Sequence, residues 1–323
     1  METKQALMSQ HEELRVELKD ELSGGLTGRP REPKHKSLIG GRRQAQLKTR
    51  LTRKLVRTNK IYRLLSEGDK VMVAVSGGKD SYTLLDLLHS ARKKLPFNYE
   101  VVAVHLDQQQ PGYDGVPLKV WLEQSGIPFE ILSKDTYSIV KELTPPGGTY
   151  CAPCSRLRRG ILYSTAERLG CNKIALGHHR DDALETLLMN MFYSGRIQSM
   201  PAMYRTDDGR FDVIRPLIEC AEAEIAEYAQ LRAFPILPCN LCGNQEGLKR
   251  VEMKKLLSDL ELRNPGIRDV MLASMKHVRP SHLLDHELND RLNGEGYVST
   301  LEGSDPLNEI ESGVSPSLIQ IEG

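Results

Sequence analysis

Three short stretches of this chain hold residue types whose spacing can do chemistry. The first, SGGKDS at residues 76–81, sets a glycine pair, a lysine and an aspartate between two serines. Gly77 and Gly78 let the main chain approach an anion with no Cβ in the way. Backbone N–H groups at the start of a following helix would then point at that anion. Ser76 and Ser81 add hydroxyls, and Lys79 adds a positive charge. Asp80 is the odd member, because a carboxylate beside phosphates makes sense mainly when it faces Mg2+. The spacing differs from the GxxxxGK(S/T) loop that wraps a β/γ-phosphate, and no GxGxxG occurs in the chain. The plain alternative is an ordinary glycine turn; six suited residues at a strand–helix junction argue against it.

The second stretch is TYCAPCSRLRRGILY, residues 149–163, and it has a counterpart in PCNLCGNQ, residues 238–245. Six cysteines stand at 151, 154, 171, 220, 239 and 242, and four of them form the CxxC pairs Cys151/Cys154 and Cys239/Cys242. In a reducing compartment this pattern points to metal or redox chemistry. A four-cysteine zinc site is the simplest reading. With 84 residues between the pairs a compact zinc ribbon is excluded, so they belong to different parts of the fold. An iron–sulfur cluster accepts the same thiolates, and residue types do not separate the two. Cys171 and Cys220 fall in apolar contexts and read as core residues.

The third stretch is GHHRDD, residues 177–182, directly after the apolar run KIAL. Gly177 allows a close approach at a strand end. Asp181 and Asp182 open a helix, so one is expected to cap it and the other to face magnesium or a ribose. His178 is a candidate contact to phosphate or base.

Five short apolar runs are expected to be the strands that position these residues: VMVAV (71–75), VVAVHL (101–106), FEIL (129–132), KIALG (173–177) and VIRPL (213–217). Helical patterns at 81–94, 116–126, 156–170 and 181–195 fill the gaps. Strand–helix alternation of this kind predicts an α/β fold, a doubly wound parallel sheet covered on both faces. Ligands of such sheets bind outside the carboxyl ends of the strands, where SGGKDS and GHHRDD both fall. Amphipathic patterns at 222–232, 248–262 and 267–278 predict a smaller C-terminal helical layer. The expected division is a disordered tail over 1–41, a basic helical arm over 42–63, the α/β domain over 64–218, a helical part carrying the second CxxC over 219–284, and an acidic disordered tail over 285–323.

Charge is unevenly spread. Residues 29–63 carry 13 Lys and Arg against one acid, Glu32, while residues 285–323 carry nine acids against Arg291. Basic segments of this kind meet polyanions; the plain alternative is a solvated helix face. Arg53, Lys54 and Arg57 in the arm, with Arg156, Arg158 and Arg159 after the first CxxC, are the candidate RNA contacts. No apolar run approaches the roughly 18 residues of a membrane span. The stretch METKQALMSQHEELRVELKDEL lacks the apolar core of a secretory signal, so the cytoplasm is the expected compartment.

Taken in order, SGGKDSYTLL, LDQQQPGY, CAPCSRLRRGILY, KIALGHHRDD, NMFYSG and PCNLCG resemble the bacterial tRNA 2-thiocytidine synthetases, PP-loop ATP pyrophosphatases with a HUP-like nucleotide-binding fold, over roughly residues 45–284. The resemblance implies ATP cleavage between the α- and β-phosphates. AMP is left on the C2 oxygen of an anticodon-loop cytidine, cytidine 32, and sulfur then displaces it to give 2-thiocytidine. It implies that Val75, Ser76, Gly77, Gly78, Lys79, Asp80 and Ser81 hold ATP, with Gly177, His178 and Asp182 opposite. Lys79, Asp80 and Cys242 would be catalytic, and Asp80 would hold Mg2+. His105 would lie near the adenine, although it reads equally as a satisfied polar residue at a strand end. The resemblance also implies a [4Fe-4S] cluster on Cys151, Cys154 and Cys242, with one open iron to present hydrosulfide and Cys239 as a neighbour. Implied partners are tRNA, a sulfur donor such as a cysteine desulfurase, and a second copy in a homodimer. Two rival readings stand beside this one. The first is a PP-loop enzyme with another target, such as a 2-thiouridine synthetase or a small-molecule ligase, the latter having no need of the basic arm. The second is a zinc-stabilised nucleotide- or RNA-binding module without chemistry, colourless where an iron–sulfur protein is brown.

Overall fold

Val71, Met72 and Val73 are fully buried and alternate between two separate apolar clusters, as expected of a strand covered on both faces. They lie in β1 (Lys70–Ala74). With β2 (Glu100–Asp107), β3 (Phe129–Ser133), β4 (Lys173–Ala175), β5 (Met203–Arg205) and β6 (Asp212–Ile214), β1 forms a six-stranded sheet in the order β3-β2-β1-β4-β6-β5. The computed structural model describes residues 34–145, 150–237 and 245–293. All strand pairs are parallel except β5–β6. That edge hairpin, where only parallel pairing was expected, turns through Thr206–Phe211, with Thr206 N–H donating to Phe211 O at 2.9 Å. Its three-residue strand is too short to show a period of two.

Ten α-helices are described in this structure: α1 (Lys34–Tyr62), α2 (Lys79–Ala91), α3 (Val116–Ser125), α4 (Thr136–Leu143), α5 (Cys151–Arg168), α6 (Arg180–Ser194), α7 (Glu222–Leu231), α8 (Gln245–Arg263), α9 (Ile267–Ser274) and α10 (His286–Asn293). From β1 the chain steps outward through α2, β2, α3 and β3. It returns through α4 and α5 to β4 on the other side of β1, so the winding reverses between β1 and β4. A reversal of this kind opens a crevice at the carboxyl ends. One face of the sheet packs against α1, α2, α3 and α7, and the other against Leu162 and Ala166 of α5.

The basic segment is not a free arm. Leu47, Leu51 and Leu55 of α1 recur every four residues and are buried in the core, each contributing about 1.5–3 kcal/mol. Arg43 pairs with Glu227, and Arg50 and Lys54 pair with Glu224, all toward α7. Lys54 is therefore directed inward, while Arg53 and Arg57 are exposed. The helix begins at Lys34, upstream of the expected 42. Residues 1–33 lie outside the described residues, as do 294–323. A separate unit begins at Asp269. Within it α10 occupies part of the stretch expected to be loose, because Asp285 caps it by accepting from Leu288 N–H at 3.0 Å.

Candidate active site

Strand β1 delivers SGGKDS to the crevice. Gly77 takes a φ of +84°, and a Cβ there would also meet Leu237 at 2.8 Å, so only glycine suits the position. Gly78 is the N-cap of α2, and no side chain caps that end. The first N–H groups of the helix are thus left for a ligand. Ser81 Oγ donates to Gly78 O at 2.9 Å and Ser76 Oγ bonds to Ser81 Oγ at 3.3 Å, which fixes the loop. Lys79 reaches Asp80 and Glu222, each at 3.1 Å. Burial would lower its pKa, but the two carboxylates outweigh that and hold it above its ordinary value. The ammonium hydrogen-bonds Asp80 Oδ2. Asp80 Oδ1 is buried, 3.1 Å from Lys79 Nζ and 3.6 Å from His179 Nε2, so positive charge already faces this carboxylate.

The GHHRDD turn leaves β4 beside this loop. A Cβ on Gly177 would stand 3.1 Å from both Asp80 C and Ser81 N. The glycine therefore lets the two loops pack backbone to backbone. Gly177→Ala is expected to lose about 1–3 kcal/mol through overpacking, whereas Gly160→Ala in α5, where nothing lies within 4 Å, is expected to gain about 0.5–1 kcal/mol. Urea unfolding of both variants checks the pair; equal effects would contradict the contact. His179 caps α6, and Asp182 accepts from His179 N–H at 3.0 Å, closing a capping box. Asp181 is turned inward, accepting from Glu222 N–H at 2.8 Å and pairing with Arg180 and Arg268. Of the two aspartates, Asp182 borders the crevice and Asp181 supports it.

The crevice is a cavity of about 640 Å³. Every parallel strand of the central four contributes to it: Ser76 after β1, Gln108 after β2, Gly177 and His178 after β4, and Arg215 after β6. Asp80, Ser81 and Asp182 line its acidic and hydroxyl side. Cys154, Arg158 and Arg159 line the facing wall from the first turns of α5, and Arg156 of the same helix is exposed. Cys154 Sγ donates to Gln108 Oε1 at 3.3 Å. Cys151 is the first residue of α5; Cys239 and Cys242 lie outside the described residues. Cys171 and Cys220 are buried in the two core clusters, and burial pushes the Cys220 thiol up to about 12. The expected adenine contact, His105, is placed differently. It is 3% exposed, with Nδ1 2.7 Å from Val75 O and Nε2 2.5 Å from Tyr113 Oη. Both ring nitrogens are engaged within the protein.

Gln108, Arg215 and Tyr204 are among the lining residues that escaped the sequence reading. Gln108 lies in the QQQ run after β2 and links Cys154 to Thr136. Arg215 sits at the end of a strand otherwise built for burial, and that misfit was the available signal. Its Nε donates to His178 Nδ1 at 3.2 Å, Nη1 donates to Pro201 O, and its guanidinium stacks 5.3 Å above Tyr204. Burial, with the Arg215 charge added, lowers the His178 pKa to about 4. The ring is neutral near pH 7, and with Nδ1 accepting, its proton is on Nε2.

A glycine-rich loop between the first strand and an uncapped helix, at the switch point of a mostly parallel sheet, defines a nucleotide-binding enzyme of the PP-loop class. A family model described as a PP-loop domain matches residues 47–235. The relative tRNA-cytidine(32) 2-sulfurtransferase of Aeromonas salmonicida (strain A449) is 51% identical over 245 residues, covering 76% of this chain and 81% of that protein. The protein of that description from Paracidovorax citrulli (strain AAC00-1) is 49% identical over 275 residues, covering 84% and 88%. The chain belongs to the tRNA-cytidine(32) 2-sulfurtransferase family, a family of transferases. Its fold is also that of the U34-tRNA thiolase NcsA from Methanococcus maripaludis, solved with its [4Fe-4S] cluster, at a TM-score of 0.57 and 22% identity over 73% of this chain and 81% of that one.

Proposed function

We propose that this enzyme uses ATP and Mg2+ to replace the C2 oxygen of cytidine 32 in a tRNA anticodon loop by sulfur. The observation that carries the reading is that the phosphate loop and Cys154 line one cavity. The names of the relatives support the substrate. In this reading the free N–H groups at the start of α2, with Ser76 and Ser81, bind the pyrophosphate end of ATP. Mg2+ is assigned to the Asp80 carboxylate, which borders the cavity beside the loop. The C2 oxygen attacks the α-phosphorus, pyrophosphate leaves, and AMP remains on the base. A sulfur nucleophile then adds at C2, and AMP departs with the former oxygen. Arg158 and Arg159 offset the phosphate charge that gathers in the cavity. His178, neutral and held by Arg215, offers an Nε2–H donor.

The donor set fits a thiolate-bound cluster: Cys154 faces the cavity, Cys151 precedes it by three residues, and Cys242 is the proposed third ligand. When bound, a [4Fe-4S] cluster with one iron free of protein ligands supplies sulfide at that iron. Each turnover consumes one sulfur atom, so a sulfur donor such as a cysteine desulfurase is required. Arg53, Arg57 and Arg156 are exposed and suited to RNA phosphates. No described helix is long and apolar enough to cross a membrane, and we place the enzyme in the cytoplasm with its tRNA.

The test is anaerobic incubation of the iron-loaded protein with tRNA, ATP, Mg2+ and sulfide, followed by mass spectrometry of the nucleosides. We expect 2-thiocytidine that requires ATP and is lost in Cys242→Ala. Thiouridine in its place would overturn the base assignment, and no thiolated base would overturn the function.

A further inference from the structure

Helix α6 begins at the cavity and ends in an apolar cluster open to solvent. Met191, Phe192, Tyr193 and Ile197 are 43%, 56%, 45% and 71% exposed, which is unusual for a contiguous group of large side chains. After Ser194 the chain doubles back along the helix. Arg196 N–H donates to Asn190 O at 3.1 Å, Asn190 Nδ2 to Gln198 O at 2.8 Å, and Ser199 Oγ to Ala183 O at 2.6 Å. The next residue, Met200, lines the cavity. The exposed rings and the cavity are thus joined by one strap of main chain.

Cations border the rings. Lys249 Nζ stands 4.5 Å over the Tyr193 ring, Arg196 is exposed, and residues 249–255 carry Lys249, Arg250, Lys254 and Lys255 against Glu252. Glu252 accepts from Tyr193 Oη at 2.8 Å, and Arg250 pairs with Glu185 at 3.5 Å. Self-association surfaces are depleted in lysine at their centres, whereas aromatic rings interleaved with cations suit unpaired nucleotides, whose bases stack while their phosphates meet positive charge.

We propose that Phe192 and Tyr193, with Arg196 and Lys249, form a stacking platform for anticodon-loop nucleotides that flank the base held in the cavity. This rests on the tRNA reading above and adds a surface to it. A target base must leave its stack to enter the cavity, and its neighbours need new partners, which two solvent-facing rings at the far end of the strap supply.

The test compares the full-length wild type with Phe192→Ala/Tyr193→Ala and Phe192→Trp by fluorescence anisotropy with substrate tRNA across a salt series. ATP affinity and sedimentation are measured on the same samples. The double variant is expected to bind tRNA about tenfold more weakly, with ATP affinity, sedimentation and salt slope unchanged, and Phe192→Trp to bind as wild type. Lys249→Ala is expected to reduce the salt slope by about one. Unchanged tRNA affinity in the double variant, with wild type binding, overturns the platform and leaves the tRNA reading standing. A changed sedimentation with unchanged tRNA affinity also overturns it, and marks the face as a contact between copies. Absence of tRNA binding by wild type overturns both.

Discussion

Cys154→Ala is expected to reduce sulfur transfer by at least about a hundredfold, since changes one shell further out from metals already cost 10–100-fold. ATP affinity is expected to stay close to wild type. The contrast follows from geometry. Cys154 borders the cavity on α5 and touches Gln108, while the phosphate loop is built from β1 and α2 and includes no α5 residue. The measurements are thiolated nucleoside per chain, iron per chain after anaerobic loading, and ATP affinity by calorimetry. Iron and thiolation should fall together. Cys171→Ala is the control: that thiol is 5% exposed among apolar side chains, and burial raises its pKa. It should lose about a kilocalorie per mole of stability and keep full activity. Retained thiolation in Cys154→Ala would remove it from the ligand set.

The largest loss of stability is expected for Asp181→Ala. The Asp181 side chain is 2% exposed and pairs with Arg180 at 3.4 Å and with Arg268, and it accepts from Glu222 N–H at 2.8 Å. Removing it leaves two guanidinium groups, 11% and 12% exposed, without their shared carboxylate. Removing one partner of a buried ion pair costs about 3–5 kcal/mol. Burial by itself would raise the Asp181 pKa, but the Glu222 N–H and the two arginines outweigh it and hold the pKa below 3.8. A depressed carboxylate stabilises the fold above its unfolded pKa. That contribution is lost as pH falls from about 3.8 through the folded value. Wild type should therefore weaken along this acid limb, and Asp181→Asn should flatten it, as read by urea unfolding between pH 2 and 7. A loss below about 1 kcal/mol would contradict the network. Asp182→Ala, which removes a capping-box acceptor that also stands 3.3 Å from His179 Nδ1, is expected to cost about 0.5–2 kcal/mol.

How far the chain could be read beforehand depended on whether a feature was local. VMVAV and KIAL are runs with few alternatives to a buried parallel strand, and the loops after them follow from strand–helix junctions. Cys154, Arg158 and Arg159 share a helix, so the wall they form was also readable. Lys79 was harder, because its partner Glu222 starts a distant helix. Lys54 reads in sequence as part of an RNA-binding stripe, because its partner Glu224 lies 170 residues along the chain. His105 had two readings because nothing local reveals Tyr113 folding over the ring. Helix α4, which Asp135 caps by accepting from Ser138 N–H at 2.9 Å, was missed because it runs for only eight residues, about two turns, too few for its apolar spacing to repeat.

The bare contact between Gly177 and the Asp80–Ser81 backbone has a mechanical consequence. A Cβ on Gly177 would stand only 3.1 Å from the Asp80 and Ser81 backbone, so no side chain lies between the two loops to yield. A nucleotide that draws the first turn of α2 toward itself therefore carries the β4 loop along, and with it His178 and the Arg215 that grips it. Occupancy at the phosphate loop would reach the opposite rim as a displacement, as a rigid link turns one motion into another. The two halves of the crevice would then report on each other before any base has entered.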